Sequence, residues 1–150
     1  MIVYITGASA SGKATIVNQL PGIAYDLDEI SRSDTYPKTH MVKKAVKRNI
    51  DALVLNHNYI VFVGSLERTH LLFTPDKVFI VKTDYQTYYR DKILEEFRLH
   101  FFANDTVQIQ PFDEFKQCID KMTTSILNDF PMAEQLPLET ILEVTRNFVF

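Results

Sequence analysis

The sequence contains little of what several classes of protein require. A single cysteine, Cys118, occurs among the 150 residues, which excludes an internal disulfide and a cysteine-based metal cluster. We expect its thiol to pack in the core. No segment approaches the ~18 consecutive apolar residues of a membrane-spanning helix. A net charge of −3 lacks the basic excess of general nucleic-acid coat proteins. These absences favour a soluble, intracellular (cytoplasmic) protein.

The chain also lacks the features that divide a sequence into parts. It has no internal repeat, no low-complexity segment and no Gly/Ser-rich linker. With 46% hydrophobic residues it can build one core, so we expect a single domain over residues 1–150. The four histidines do not show the spacing of a zinc site.

Apolar runs alternate with helical patterns along the chain. Four runs predict buried strands, at residues 2–5, 23–26, 59–63 and 77–81. Residues with three- and four-residue spacing predict helices over 15–20, 38–56, from 85 onwards, 111–129 and 137–147. A fifth strand lies either at 107–110 or near 130–135. This alternation predicts an α/β three-layer sandwich with a central parallel sheet of four to five strands and helices on both faces.

The helical patterns also predict which side chains are buried. In the predicted helix that starts at residue 85 the apolar stripe comprises Tyr85, Tyr89, Ile93, Phe97 and Phe101, and Asp84 is placed to cap its first turn. In the predicted helix over 111–129 the stripe comprises Phe112, Phe115, Ile119, Met122 and Ile126.

Only four glycines occur, and two of them stand in a phosphate-binding pattern. The pattern GxxxxGK[S/T] lets backbone N–H groups converge on phosphate oxygens while the lysine reaches the terminal phosphates. Here it spans Gly7, Ala8, Ser9, Ala10, Ser11, Gly12, Lys13, Ala14 and Thr15. Ala14 replaces the hydroxyl that normally binds magnesium. A plain glycine turn between strand and helix is the alternative.

Charged residues follow the predicted strands. In parallel sheets ligands collect at the carboxyl ends of the strands, so the residues after positions 6, 26, 63 and 81 should converge on one cleft. Besides the glycine-rich loop, these positions contribute the following side chains: Asp26, Asp28, Glu29, Arg32, Glu67, Arg68, Thr83 and Asp84.

The segment Gly7 to Thr15, followed by Tyr25-Asp-Leu-Asp-Glu-Ile-Ser-Arg32, resembles the small P-loop kinases of the nucleoside monophosphate and shikimate kinase type. Gly12-Lys13-Ala14-Thr15 is similar to the Gly-Lys-Gly-Thr of adenylate kinases, which also lack a hydroxyl at the third position of that run. The resemblance implies ATP and Mg²⁺ as cofactors. It further implies that Lys13 bridges the β- and γ-phosphates, that Thr15 binds the α-phosphate, and that water and carboxylates bind the metal.

The same resemblance assigns roles to further residues. Asp26 is expected in the metal shell, acting through water, and Asp28 is expected to orient the acceptor hydroxyl and accept its proton. Asp28 as a simple helix cap is the alternative. Arg90 resembles the lid arginine of these kinases and is a catalytic candidate. Arg32 and Arg68 are expected to contact the acceptor, although Val63-Gly64 and Leu66-Glu67 depart from the family pattern before Arg68.

The resulting functional hypothesis is an ATP-dependent kinase that transfers the γ-phosphate to a small acceptor such as a nucleoside or nucleotide. Two alternatives stay open: a 5′-polynucleotide kinase-like enzyme, and an inactive P-loop module that binds a nucleotide and acts through partners. The basic group Lys43, Lys44, Lys47 and Arg48 could contact a polynucleotide, but Asp51 is placed to pair with Lys47, which favours a solvated helix face. Arg98 has Glu95 and Glu96 as neighbours. A solvated surface position, with these residues as partners, explains Arg98 at least as well as a functional role does.

Overall fold

A computed structural model describes residues 1–7, 13–32, 40–65, 68–82, 84–100 and 109–149. It contains five strands, which are β1 (Ile2–Thr6), β2 (Ala24–Asp26), β3 (Ile60–Val63), β4 (Lys77–Val81) and β5 (Glu134–Leu136). The helices are α1 (Lys13–Gln19), α2 (Leu27–Arg32), α3 (His40–Leu55), α4 (Tyr85–His100), α5 (Phe112–Asp129) and α6 (Leu138–Val149). A short 3₁₀ turn covers Arg68–His70.

The strands form one sheet in the order β2-β3-β1-β4-β5, and every pair is parallel. The four predicted strands are confirmed, because continuous apolar runs suit a sheet that is buried on both faces. Of the two candidates for the fifth strand, the segment near 130–135 is correct. β5 starts at Glu134, opposite Phe79 of β4. Of the other candidate, residues 107 and 108 lie outside the described chain, and 109–110 are not in a strand.

Alternate side chains of the strands build a core on each face of the sheet. One face, here called the α1 face, combines Val3, Ile5, Val61 and Phe79 with Ile16 of α1 and Ile141 of α6. The other, called the α3 face, combines Tyr4, Phe62 and Val78 with Leu27 of α2, Ile50 of α3 and Phe130 after α5. Helices therefore flank both faces, so the α/β class and the parallel sheet are confirmed.

The connections that follow β1 and β3 run along opposite faces of the sheet and lead to strands on opposite sides of it. After β1 the chain passes along the α1 face through α1. After β3 it crosses the α3 face, where Phe73 packs against Phe62 and Tyr4, and after β4 it returns through α5 on that same face. In a parallel sheet such a reversal opens a crevice at the carboxyl ends of the strands. Here the crevice falls at the end of β1.

Helices α4 and α5 form a smaller apolar cluster beside the main core. Phe115 and Ile119 of α5 are buried there against Tyr85, Tyr88 and Tyr89. The predicted stripes extend too far, because Phe97 is 50% and Met122 is 41% exposed. The prediction that Cys118 packs in the core is also wrong, since Cys118 is exposed on α5. Phe101 lies outside the described residues.

Candidate functional site

The glycine-rich segment joins the central strand to α1 at this crevice. Gly7 follows β1 directly and is buried, and α1 begins at Lys13. The predicted loop residues Ala8, Ser9, Ala10, Ser11 and Gly12 lie outside the described residues, as do the side chains of Lys13 and Ala14. Thr15 is exposed on α1. The chain therefore supplies the strand and the helix that a phosphate loop needs, at the expected ends.

Asp26 and Asp28 lie at the same edge of the sheet. Asp26 ends β2 opposite Val63, which is itself opposite Ile5 of β1. Two strand spacings separate Asp26 from β1, or about 10 Å. Asp26 Oδ1 accepts the backbone N–H of Asp28 at 2.8 Å, so Asp26 caps α2. Asp28 is exposed in the first turn of α2, where the helix dipole favours a negative charge.

The end of β3, between β1 and Asp26, is apolar. Val63 is 3% exposed, and a Cβ added to the buried Gly64 would lie 2.9 Å from Leu27 Cδ1. Leu27 therefore packs closely against the backbone of Gly64. Within the described ranges no three His, Cys, Asp or Glu side chains are grouped to bind a metal ion. Asp26 and Asp28 are carboxylates at this edge that could contribute to a cation site, together with oxygens from water or ligand.

Arg90 lies on α4, which begins just beyond the carboxyl end of β4. Its position is about 8 Å along the helix from Tyr85, at 1.5 Å per residue. The side chain is 71% exposed, and Nη2 lies 3.7 Å from Asp91 Oδ1. An exposed ion pair of this kind is weak, so the guanidinium can exchange this partner for another anion. Arg98 is paired with Glu95 at 3.8 Å, as a surface residue would be.

Arg68 contacts the last residue of α5. Its backbone N–H donates to Asp129 Oδ2 at 3.4 Å, and Nη1 donates to the Asp129 carbonyl at 3.5 Å. A cation at a helix C-terminus is favoured by the helix dipole, so this contact has a structural explanation of its own. The structure does not place the Arg68 guanidinium against Asp26 or Asp28. Arg32 ends α2, and its side chain lies outside the described residues.

Asp84 caps α4, as predicted. Its Oδ2 accepts the Thr87 hydroxyl at 2.8 Å, and Oδ1 accepts the Thr87 backbone N–H at 3.4 Å. These two bonds, the hydroxyl first, hold the pKa of Asp84 below its usual range. The cap fixes the start of α4 at the carboxyl edge. The predicted pair Lys47 to Asp51 on α3 is likewise confirmed, with Nζ 3.6 Å from Oδ1.

The sequence patterns did not indicate a pocket beside this crevice, under α5. It has a volume of about 290 Å³ and is lined by residues of β4, β5, α4 and α5. Its polar side chains include Lys82, Asp120 and Gln135. They are far apart in the sequence and belong to no motif, so only the fold brings them together.

No protein-family model matches this chain, and no curated protein matches it. Across the described ranges, none of the helices combines the length and the apolar character needed to cross a membrane.

Proposed function

We propose that this protein is an ATP-dependent phosphotransferase of the small P-loop kinase type, which transfers the γ-phosphate to a small hydroxyl-bearing acceptor such as a nucleoside or nucleotide. One observation carries the proposal. The GxxxxGK segment joins the carboxyl end of a central, buried parallel strand to the start of a helix, at the point where the sheet connections reverse direction.

The proposed chemistry needs positioning more than covalent assistance. The acceptor oxygen forms a bond to the γ-phosphorus while the bond from that phosphorus to the β,γ-bridging oxygen breaks, and ADP leaves. Asp28, exposed at the start of α2, accepts the proton of the acceptor hydroxyl. Lys13 and Arg90 offset the charge on the transferred group. The roles proposed for Arg32 and Arg68 are contacts with the acceptor.

Asp26 suits a metal bound through water. Its Oδ1 already accepts one backbone N–H, which orients the carboxylate at the carboxyl edge. The side chains of Ala14 and Val63 offer no oxygen ligand. Asp26 would therefore contribute more to metal binding than it would if residue 14 carried a hydroxyl group. Mg²⁺ bound there supplies charge neutralisation for the phosphates.

The test is a transfer assay with γ-labelled ATP, Mg²⁺ and a panel of nucleosides, nucleotides and hydroxylated metabolites. We expect a phosphorylated product and ADP in equal amounts. Lys13→Ala should abolish transfer, and Asp28→Asn should reduce it by about 10²-fold or more, because a positioned base contributes 10²–10⁴-fold.

Matched controls come from α5. Lys121→Ala and Asp113→Asn remove the same charges at exposed positions away from the crevice, and both should retain full activity. Transfer that survives Lys13→Ala would refute the assignment of the loop. Transfer confined to 5′-hydroxyl oligonucleotides, with binding that falls steeply with salt, would identify a polynucleotide kinase instead.

A second function, a nucleotide-binding module without turnover, is favoured by one observation. Val63, 3% exposed at the end of β3, occupies the position at which many P-loop enzymes have an acidic residue. Nucleotide affinity that depends on Lys13, combined with no product for any acceptor, would establish this function.

A further inference from the structure

The pocket under α5 has the features of a separate ligand site. It lies between the carboxyl ends of β4 and β5 on one side and α5 on the other, with the first turn of α4 at its rim. Its volume of about 290 Å³ lies near the lower limit for small-molecule sites, which range from ~300 to ~1,000 Å³. Val81 and Ile119 contribute apolar wall.

A carboxylate lines one part of this pocket. Asp120 Oδ1 accepts the hydroxyl proton of Tyr85. This bond, together with burial, raises the pKa of Tyr85, so the phenol keeps its proton and donates it to the Asp120 carboxylate. Among the described residues, Oδ2 of the same carboxylate has no hydrogen-bond partner, and it is available to a ligand.

Neighbouring oxygens add further acceptors. The Thr123 hydroxyl donates to the Ile119 carbonyl at 3.0 Å, and the Thr124 hydroxyl donates to the Asp120 carbonyl at 2.9 Å. Since both protons are already used, the two oxygens can only accept from a ligand. Asp120 and these oxygens together suit a group with several N–H donors.

A cation and an amide line the same pocket without neutralising Asp120. Lys82 is exposed just after β4, and its ammonium group has no ion-pair partner in the described chain. Gln135 of β5 adds an amide that can donate two hydrogen bonds. Opposite charges that share a pocket but stay more than 4 Å apart leave room for a ligand that bridges them.

We infer that this pocket binds a small zwitterion of the amino-acid class, with its ammonium group on Asp120 and the two threonine oxygens and its carboxylate on Lys82 and Gln135. The two opposite charges favour a zwitterion over a singly charged ligand, and the volume of about 290 Å³ suits a small molecule. The site does not depend on the proposed phosphotransfer, and its occupancy can be measured without nucleotide.

The experiment is calorimetric titration of the whole protein with the common amino acids, each compared with its N-acetyl and amide derivatives and its α-hydroxy analogue. We expect at least one amino acid to bind with a Kd of about 1 mM or tighter. Asp120→Asn and Lys82→Met should each weaken it about tenfold or more, because each removes a charged hydrogen bond.

The derivatives pair each ligand group with its protein partner. N-acetylation of the amino acid should weaken its binding to the natural protein but have little further effect on binding to the Asp120→Asn variant. Amidation of its carboxylate should weaken binding to the natural protein but have little further effect on binding to Lys82→Met. Asp113→Asn and Lys121→Met on α5 are the matched controls and should bind normally. Three outcomes would overturn the inference: no amino acid binding, an α-hydroxy analogue that binds as tightly, or binding unaffected by both pocket variants.

Discussion

Among single residues, Asp26 has an observed role and a proposed one, and substitution can separate them. Its Oδ1 caps α2 through the Asp28 N–H, and the proposed function also places it in the metal shell. Asparagine caps a helix as well as aspartate does, so Asp26→Asn should leave stability almost unchanged, whereas Asp26→Ala should cost about 1 kcal/mol. Urea unfolding of the two variants measures this difference.

The same pair of variants tests the metal. If Asp26 binds Mg²⁺ through water, Asp26→Asn should raise the Mg²⁺ concentration required for nucleotide binding about tenfold or more. Asp113→Asn, at an exposed position on α5, should leave the Mg²⁺ requirement unchanged. An unchanged Mg²⁺ requirement in Asp26→Asn, with the cap intact, would remove Asp26 from the metal site.

Asp84 contributes to stability in a pH-dependent manner. Because its folded-state pKa is below the ordinary value, the stabilisation is complete above pH of about 4 and is lost as pH falls through the folded-state pKa. Thr87→Ala removes the hydroxyl that is the main cause, so the pKa should rise towards its ordinary value.

A carboxyl-detected NMR titration of Asp84 measures that shift. Thr124→Ala is the control, because its hydroxyl bonds a backbone carbonyl and not a carboxylate, and it should leave the Asp84 titration as it is. Identical Asp84 titrations in Thr87→Ala and the natural protein would show that the hydroxyl bond does not persist in solution.

At the scale of secondary-structure elements, the contact between the end of β3 and α2 predicts a substitution at Gly64 whose cost depends on the side chain at position 27. A methyl group on Gly64 would lie 2.9 Å from Leu27 Cδ1 and 3.2 Å from Leu27 Cβ. Gly64→Ala should therefore destabilise the natural protein by about 1–3 kcal/mol. In a Leu27→Ala background the contact with Cδ1 is removed and only the 3.2 Å contact with Cβ is left, so the same change should cost clearly less than in the natural protein.

Denaturant unfolding of the two single variants and the double variant completes this cycle. Gly22→Ala is a useful comparison, since the positive φ of 78° at Gly22 makes alanine unfavourable there whichever residue is at position 27. Equal effects of Gly64→Ala in both backgrounds would show that Leu27 does not pack closely against Gly64.

The packing of α4 against α5 involves a buried aromatic side chain, Phe115. Phe115 is 8% exposed and packs against Tyr89 with ring centroids 5.5 Å apart. Phe115→Ala should reduce hydrogen-exchange protection in α4 and the first half of α5 while the five strands stay protected, because the main core lies elsewhere. Met122→Ala on the exposed side of α5 is the control. Loss of protection throughout the sheet would contradict a separate cluster.

The elements also show what the sequence can and cannot indicate. The strands β1, β3 and β4 are readable because apolar runs of four or five residues need two covered faces. β5 has only Glu134-Gln-Leu136, and its pairing with Phe79 defines it as a strand. Phe97 continues a helical pattern but is exposed, since periodicity marks a face without showing what covers it.

At the scale of the whole molecule, the sheet order decides which predicted site residues meet. Gly7, Lys13, Asp26 and Asp28 reach one edge because parallel strands carry their loops to the same side, which the sequence pattern was sufficient to predict. The contact of Arg68 with Asp129 and the grouping of Lys82, Asp120 and Gln135 join distant parts of the chain. Local patterns carry no information about such contacts, so only the tertiary fold reveals them.

Nucleotide binding should stabilise the molecule as a whole. A ligand that binds only the folded state raises the unfolding free energy by RT ln(1 + [L]/Kd), about 2.7 kcal/mol at a concentration of 100 Kd. We therefore expect a non-hydrolysable ATP analogue with Mg²⁺ to raise the stability of the natural protein by about this amount. Since β1, which leads into the loop, pairs with both β3 and β4, nucleotide binding at the loop should be coupled to unfolding of the whole sheet.

The variant Lys13→Ala makes this measurement specific for the loop. It should remove most of the stabilisation by the analogue while changing little in its absence, since Lys13 is the first residue of α1. Lys121→Ala should respond to the analogue like the natural protein. Equal stabilisation of Lys13→Ala and the natural protein would place the nucleotide elsewhere, and no stabilisation of either would refute nucleotide binding, catalytic or not.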